Sequence, residues 1–307
     1  LVAAEIDRAA GDISSNDDKE LIFNTSWWMM KQGLAEQTIE SRTKILKILA
    51  KRGVNLNDPE SVKEGIARQK WSPGRKENAS LSYTTLLKMQ GKTWTPPRYK
   101  RIEKDPWIPT ETEVDQLIAG SSPKVSTFLQ LLKETGMRPG EAWSLKWTDI
   151  NTENSTVSIT PEKGSNSRTL KLSSKLITMM NRLPKSSLYI FNSSELEHFA
   201  QNFRHHRKTV AFKLDNPRIS QITFKTLRHF KATMEYHKTR DILHVKYILG
   251  HRRIENTLVY THLIDFGSDE FTSKVAKNAD EACQLVEAGY DYVCNTADGY
   301  SIFRKRK

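Results

Sequence analysis

Cysteine is nearly absent from this chain: Cys283 and Cys294 are the only two in 307 residues. The gap of ten residues between them fits no compact zinc knuckle, and two free thiols in a reducing cytosol is the reading that follows. Long apolar runs are missing as well. No stretch approaches the roughly 18 apolar residues that a membrane span needs. Hydrophobic content of 37% and a mean hydropathy of -0.60 describe a soluble, wet-surfaced globular protein, expected in the cytoplasm and away from membranes. Residues Leu1 to Asp7 have neither the basic start nor the long apolar stretch of a signal peptide, and Leu1 is not Met, so the natural start need not be present. Metal-ligand spacing is lacking too. His198, His205 and His206 have no carboxylate or cysteine at ligand distance in sequence, so they read as surface or polyanion-facing residues, and no metal or other cofactor is expected.

What the chain does have is positive charge. Lys and Arg number 48 against 36 Asp and Glu, for a net charge of +12. That balance suits a polyanionic partner, because each phosphate neutralised by Lys or Arg releases counterions. The competing reading of charge alone is a generally basic soluble protein. The length allows two domains, each with its own core.

Residues 1–20 are polar and lean acidic, and read as a flexible lead-in. The segment 21–94 has a helical pattern. Ile39, Ile45, Leu46 and Leu49 recur near a 3.6-residue spacing with Lys44, Lys47, Lys51 and Arg52 between them, and Gly53 ends the run. Asp58-Pro59 starts a further helix by an Asp cap with Pro at the first position, and a third is expected from about Ser80 to Gln90. Pro96-Pro97 precludes a helix and marks 95–106 as an extended basic linker carrying Arg98, Lys100 and Arg101. Beyond it, Thr110 and Glu113 have the spacing of a capping box. Within the helical segment 107–267, Thr156–Thr160 and Arg168–Leu172 alternate as two strands about a turn, which places Lys163 near a hairpin tip. The extension 268–307 holds a second hairpin, formed by Tyr290–Cys294 and Tyr300–Arg304, and a basic tail, Lys305 to Lys307.

Three separated clusters carry chemistry. Thr135-Gly136-Met137-Arg138-Pro139-Gly140-Glu141 comes first, then Lys225-Thr226-Leu227-Arg228-His229. Last is Leu249-Gly250-His251, followed by Tyr260-Thr261-His262 with Tyr260 nine residues past His251. In this order they resemble the catalytic set of the tyrosine recombinase (phage-type integrase, Xer-like) family, archaeal-type branch. A phenol, two guanidinium forks, a lysine and an imidazole supply a nucleophile, charge stabilisation and an acid for phosphoryl transfer on DNA.

The resemblance implies a role for each residue. Tyr260 is the nucleophile, and Arg138 and Arg228 bind the phosphate oxygens. Lys163 is general acid to the departing 5′-oxygen, with Lys171 a weaker candidate, and His251 donates to a phosphate oxygen. Glu141 and Asp149-Ile150 support the helix around the first arginine. Lys225 departs from the His that the family most often has three residues before its second arginine. Lysine can donate to phosphate, but it is a poor neutral base near pH 7. His229, one residue past Arg228, is expected to face another direction on the helix and not to substitute.

The fold class expected is mainly α with a small β-hairpin sheet: a tyrosine recombinase catalytic fold at 107–267, preceded by a helical SAM-like core-binding domain at 21–94. Lys44, Lys51, Arg52, Arg98, Lys100 and Arg101 are the DNA-binding candidates. The partner implied is double-stranded DNA, held in a C-shaped clamp, with a homotetramer acting on two sites and monomers off DNA. The activity implied is cleavage and rejoining through a 3′-phosphotyrosyl link, without metal or ATP. Two alternatives stay open: a type IB topoisomerase-like enzyme that relaxes supercoils, and a non-catalytic DNA-binding relative.

Overall fold

The computed structural model describes residues 16–101, 104–162, 164–191, 195–261, 263, 271–296 and 298–306. Lys163, His262 and most of the expected lead-in lie outside them. The chain divides into two compact units, Leu1–Lys104 and Asp105–Lys307. Among the described residues, no helix is long and apolar enough to cross a membrane.

Among the described residues the first unit holds four helices: α1 (Asn16–Lys31), α2 (Glu36–Lys51), α3 (Pro59–Ala67) and α4 (Pro73–Met89). Residues 16–20, expected to be flexible, form the first turn of α1. Asp17 and Asp18 there complement the positive helix N-terminus, while Ile22 and Met29 anchor the buried face. The start of α4 is set by Ser72, whose hydroxyl accepts from the Arg75 amide ahead of Pro73 at the first position. That cap lies some two turns before the apolar pattern becomes visible, so the helix is longer than its periodicity. Leu46, Leu49, Leu56, Ile66, Tyr83 and Leu86 are fully buried together in the core of this unit. A side chain of this kind contributes about 1.5–3 kcal/mol when fully withdrawn from water. Trp94 and Tyr99 pack against the same core, and Arg101 forms an ion pair with Glu77. Residues 95–101 of the stretch expected to be a linker therefore lie against the first unit while remaining without regular structure.

The second unit begins with α5 (Glu111–Ala119), α6 (Pro123–Thr135) and α7 (Pro139–Trp143). Thr110 and Glu113 close the capping box at the start of α5. A three-stranded antiparallel sheet follows, β1 (Ile150–Asn151), β2 (Thr156–Ile159) and β3 (Arg168–Lys171), in the order β1-β2-β3. The helices α8 (Ser174–Asn181), α9 (Leu196–Lys213), α10 (Phe224–Thr239), α11 (Ile242–Leu249) and α12 (Glu255–Leu258) complete the helical part. Its core centres on Phe128, whose ring meets Trp143, Phe191, Phe199 and Phe224 edge-on at centroid distances of 5.0–5.8 Å.

The C-terminal segment holds β4 (Phe271–Ala276), α13 (Ala279–Glu287), β5 (Asp291–Asn295) and β6 (Ser301–Arg306), with strand order β4-β6-β5. The hairpin expected there is the β5–β6 pair, and β4 is an added partner. Lys305 and Arg306 belong to β6 rather than to a free tail. The buried Phe303 fixes that strand, and Lys305 Nζ donates to the carbonyl of Ala288.

Candidate active site

Arg138 and His251 each sit just past a helix that ends in glycine. Gly136 ends α6 in the left-handed conformation (φ 62°), which turns the chain so that Arg138 precedes α7. Gly250 ends α11 in the same way (φ 67°) and delivers His251. Glycine is required at 250 for a second reason. A Cβ there would lie 2.6 Å from Arg168 Nη1 and 3.0 Å from the Asn166 carbonyl oxygen. At Gly140 a Cβ would meet the Glu162 carboxylate at 2.3 Å, a contact that the flexible glutamate side chain can relieve by moving.

Glu141 ties these turns together. Its carboxylate accepts from the Arg138 amide (2.9 Å), Arg138 Nη1 (3.1 Å), Arg168 Nη2 (2.7 Å) and the Ser165 hydroxyl (2.8 Å). Burial alone would raise this carboxyl. The Arg168 guanidinium, the Arg138 amide and the Ser165 hydroxyl outweigh it and hold the pKa at about 2. Arg168 is fully buried and also donates to the Ile248 carbonyl at 2.6 Å, linking β3 to α11.

Arg228 is buried on α10 and spans the same two turns. Nη1 donates to the Gly136 carbonyl (2.6 Å) and Nη2 to the Leu249 carbonyl (2.7 Å). Burial, together with the Arg138 charge, brings its pKa down to about 10, so it stays cationic at neutral pH. His251 is buried with Nδ1 2.8 Å from the Thr257 hydroxyl. Burial and the Arg228, Arg138 and Arg168 charges lower its pKa to about 4, so the ring is neutral and able to donate one N–H.

Tyr260 is 4% exposed, its ring packed in a cluster with Ala232, Val245 and Leu249. Burial raises the phenol pKa, and Arg228 and Arg138 pull against that rise. The phenol oxygen lies 2.9 Å from His229 Nδ1. This corrects the expectation that His229 points elsewhere. Successive helical residues are turned by about 100°. Arg228 faces the two turns, His229 faces the segment that follows α12, and both flank the tyrosine.

The structure thus brings Arg138, Arg228, His251 and Tyr260 together in one charge-coupled centre. Lys225 stands exposed on α10, and Lys171 is exposed on β3. Lys163 lies outside the described residues, although Glu162 and Gly164 on either side of it belong to a loop held to Glu141 through Ser165. Among the described residues, His198, His205 and His206 join no group that could hold a metal ion. In the first unit Lys44, Lys51, Arg52, Arg98, Lys100 and Arg101 are exposed. Arg52 lies over the Trp71 ring at 5.7 Å.

Sequence reasoning missed Arg168 and the contact of His229. Strand alternation gives a face but not the partner that makes burial of an arginine tolerable. The Arg-His pair on α10 was the available signal for His229.

The phage integrase family model matches residues 109–265, about half of the chain. A tyrosine recombinase of Pseudothermotoga lettingae is 30% identical over 176 residues, covering 55% of this chain and 60% of that protein. The tyrosine recombinase XerA of Pyrococcus furiosus is 27% identical over 185 residues, covering 58% and 62%. The chain therefore spans about three fifths of the length of these curated relatives. Among solved structures, the Tn1549 transposon integrase in complex with circular intermediate DNA has a TM-score of 0.64 at 16% identity, over 87% of this chain and 99% of that one. The XerH recombinase bound to its difH substrate has a TM-score of 0.59 at 17% identity, over 86% and 93%. At such identities the likeness concerns the fold, and a recombinase fold with a family match over half its length makes this chain a member of the phage integrase family.

Proposed function

We propose that the protein is a site-specific tyrosine recombinase that cuts and rejoins duplex DNA through a 3′-phosphotyrosyl link. The observation that carries this reading is the single centre in which the buried Tyr260 phenol, the neutral His251 ring and the Arg228 guanidinium meet the half-buried Arg138. Guanidinium forks match phosphate oxygens bidentately and keep their charge, and donors already held in place, Arg138 by Glu141 and Arg228 by the Gly136 and Leu249 carbonyls, need little reorganisation as charge builds on phosphorus. His251 donates to a further phosphate oxygen, Lys225 adds an exposed ammonium, and Lys163 protonates the 5′-oxygen from the β2–β3 loop. The bond energy is kept in the tyrosyl ester, so rejoining requires no nucleotide.

The helical segment 21–94 acts as the core-binding domain, 107–267 as the catalytic domain, and 268–307 as an extension. Lambda integrase has been solved as a dimer bound to a core site and as a tetramer bound to a Holliday junction. A tetramer on two sites is the corresponding assembly here.

The test is trapping on a nicked suicide substrate in excess chelator. A denaturant-resistant adduct carrying a 3′-phosphate is expected. A strict need for magnesium would move the chain to another class of DNA enzyme. Relaxation of supercoiled plasmid without any site preference would favour the topoisomerase-like alternative.

The exposed Arg98 and Lys100 should act on affinity rather than on chemistry. Arg98→Ala or Lys100→Ala is expected to weaken binding to all sequences alike and to lower the slope of log affinity against log salt by about one. Titrations at several salt concentrations, run beside single-turnover cleavage of bound substrate, check this. Lost cleavage with an unchanged salt slope would remove these residues from the DNA-binding surface.

A further inference from the structure

We infer that His229 receives the Tyr260 proton during strand cleavage and returns it during rejoining. The inference rests on Tyr260 being the nucleophile, as proposed above. Its basis is geometric: His229 Nδ1 lies 2.9 Å from the phenol oxygen, with the two rings tilted by 45° and their centroids 5.8 Å apart. That separation is within direct proton-transfer reach.

Both partners are held by packing. His229 follows Leu227 and Arg228 and precedes Phe230, all buried, on α10, and Tyr260 is fixed in the cluster of Ala232, Val245 and Leu249. In the inferred arrangement the phenol donates to Nδ1 of a neutral His229, which carries its own proton on Nε2. The other groups acting on the phenol, Arg228 and Arg138, are cations with no lone pair to accept a proton. Lys225 is exposed on the same helix and is likewise a donor.

The Tyr260 oxygen forms a bond to phosphorus while its proton passes to His229 Nδ1. The bond from phosphorus to the 5′-oxygen breaks, and that oxygen takes a proton from the acid assigned to Lys163. In rejoining, the 5′-hydroxyl returns its proton to that acid and attacks phosphorus. The tyrosyl bond breaks, and the imidazolium reprotonates the phenolate.

Burial, Lys225 and Arg228 lower the His229 pKa to about 4, while burial keeps the phenol protonated. A bound phosphodiester brings negative charge among Arg138, Arg228 and Lys225. It offsets those cations and raises the basicity of the imidazole at the moment a target phosphate is present.

His229→Asn tests this, because its side-chain oxygen can accept the phenol hydrogen bond but cannot take the proton. Single-turnover cleavage at pH 7 is expected to slow by about 100- to 10,000-fold at nearly unchanged DNA affinity. The variant's rate should keep rising with pH toward the phenol pKa, while that of the parent levels off. On a substrate with sulfur in place of the bridging 5′-oxygen, which needs no acid, His229→Asn should stay slow and Lys163→Ala should recover. If His229→Asn cleaves at the parent rate with the parent pH profile while Tyr260→Phe forms no adduct, the base assignment is wrong and the nucleophile stands. An adduct from Tyr260→Phe overturns both. Nitrogen NMR of the parent protein gives a check independent of how any variant folds. An unprotonated, hydrogen-bonded Nδ1 is expected at neutral pH, and a proton resident on Nδ1 would overturn the assignment.

Discussion

Tyr260→Phe is expected to bind DNA as the parent does and to form no covalent complex on a suicide substrate. The ring is what packs: Ala232, Val245 and Leu249 enclose it, and phenylalanine fills the same space. The change removes one hydrogen bond, to His229, which is worth about 0.5–1.5 kcal/mol to stability. It also removes the only atom of that side chain able to attack phosphorus, so the effect on the adduct is total rather than graded. Gel analysis after denaturation, with affinity measured in parallel, checks this. A denaturant-resistant adduct from the Phe variant would falsify the nucleophile assignment.

The second large effect is expected at Glu141. Glu141→Gln leaves the shape but removes the charge that compensates Arg168, a fully buried guanidinium, and loosens Arg138. Breaking a buried pair in this way costs about 3–5 kcal/mol. Urea unfolding at pH 7 should show a loss of that order, and single-turnover cleavage by the remaining folded protein should fall because Arg138 is no longer held.

The loss should depend on pH with a definite sign. The carboxyl has a folded pKa of about 2, below its ordinary value of 4.5, so its stabilisation is full above that ordinary value and disappears as pH falls toward 2. The parent and Glu141→Gln should therefore converge in stability between pH 4.5 and 2. A difference that stays constant through that window would show that the charge on Glu141 is not what holds the turns.

Much of this arrangement was legible along the chain. The caps at Asp58-Pro59 and at Thr110–Glu113 are local hydrogen-bond patterns, so a few residues specify them, and the structure has both. The β2–β3 pairing follows from alternation about a polar turn. Other features were not legible, because their cause lies far away in sequence. The first turn of α1 forms where acidic residues meet a face that buries Ile22 against another helix. β4 and the end of β6 exist because they pair with each other, Phe271 opposite Arg306, which no single segment announces.

The sequence by itself determined the mainly helical class and the basic character, since composition and periodicity are properties of the chain, and its motifs carried the resemblance that names the candidate site residues. Only the tertiary structure decided what those residues do to one another. Arg168 becomes the partner of Glu141, 27 positions away, because β3 is laid beside α7, and Arg228 reaches the Gly136 carbonyl across 92 positions. His229 meets Tyr260 across 31 positions because Tyr260, just past α12, packs beside Ala232 of α10. Burial then acts on these groups once they are placed: it withdraws them from water, strengthens their mutual charges and fixes which nitrogen or oxygen carries a proton.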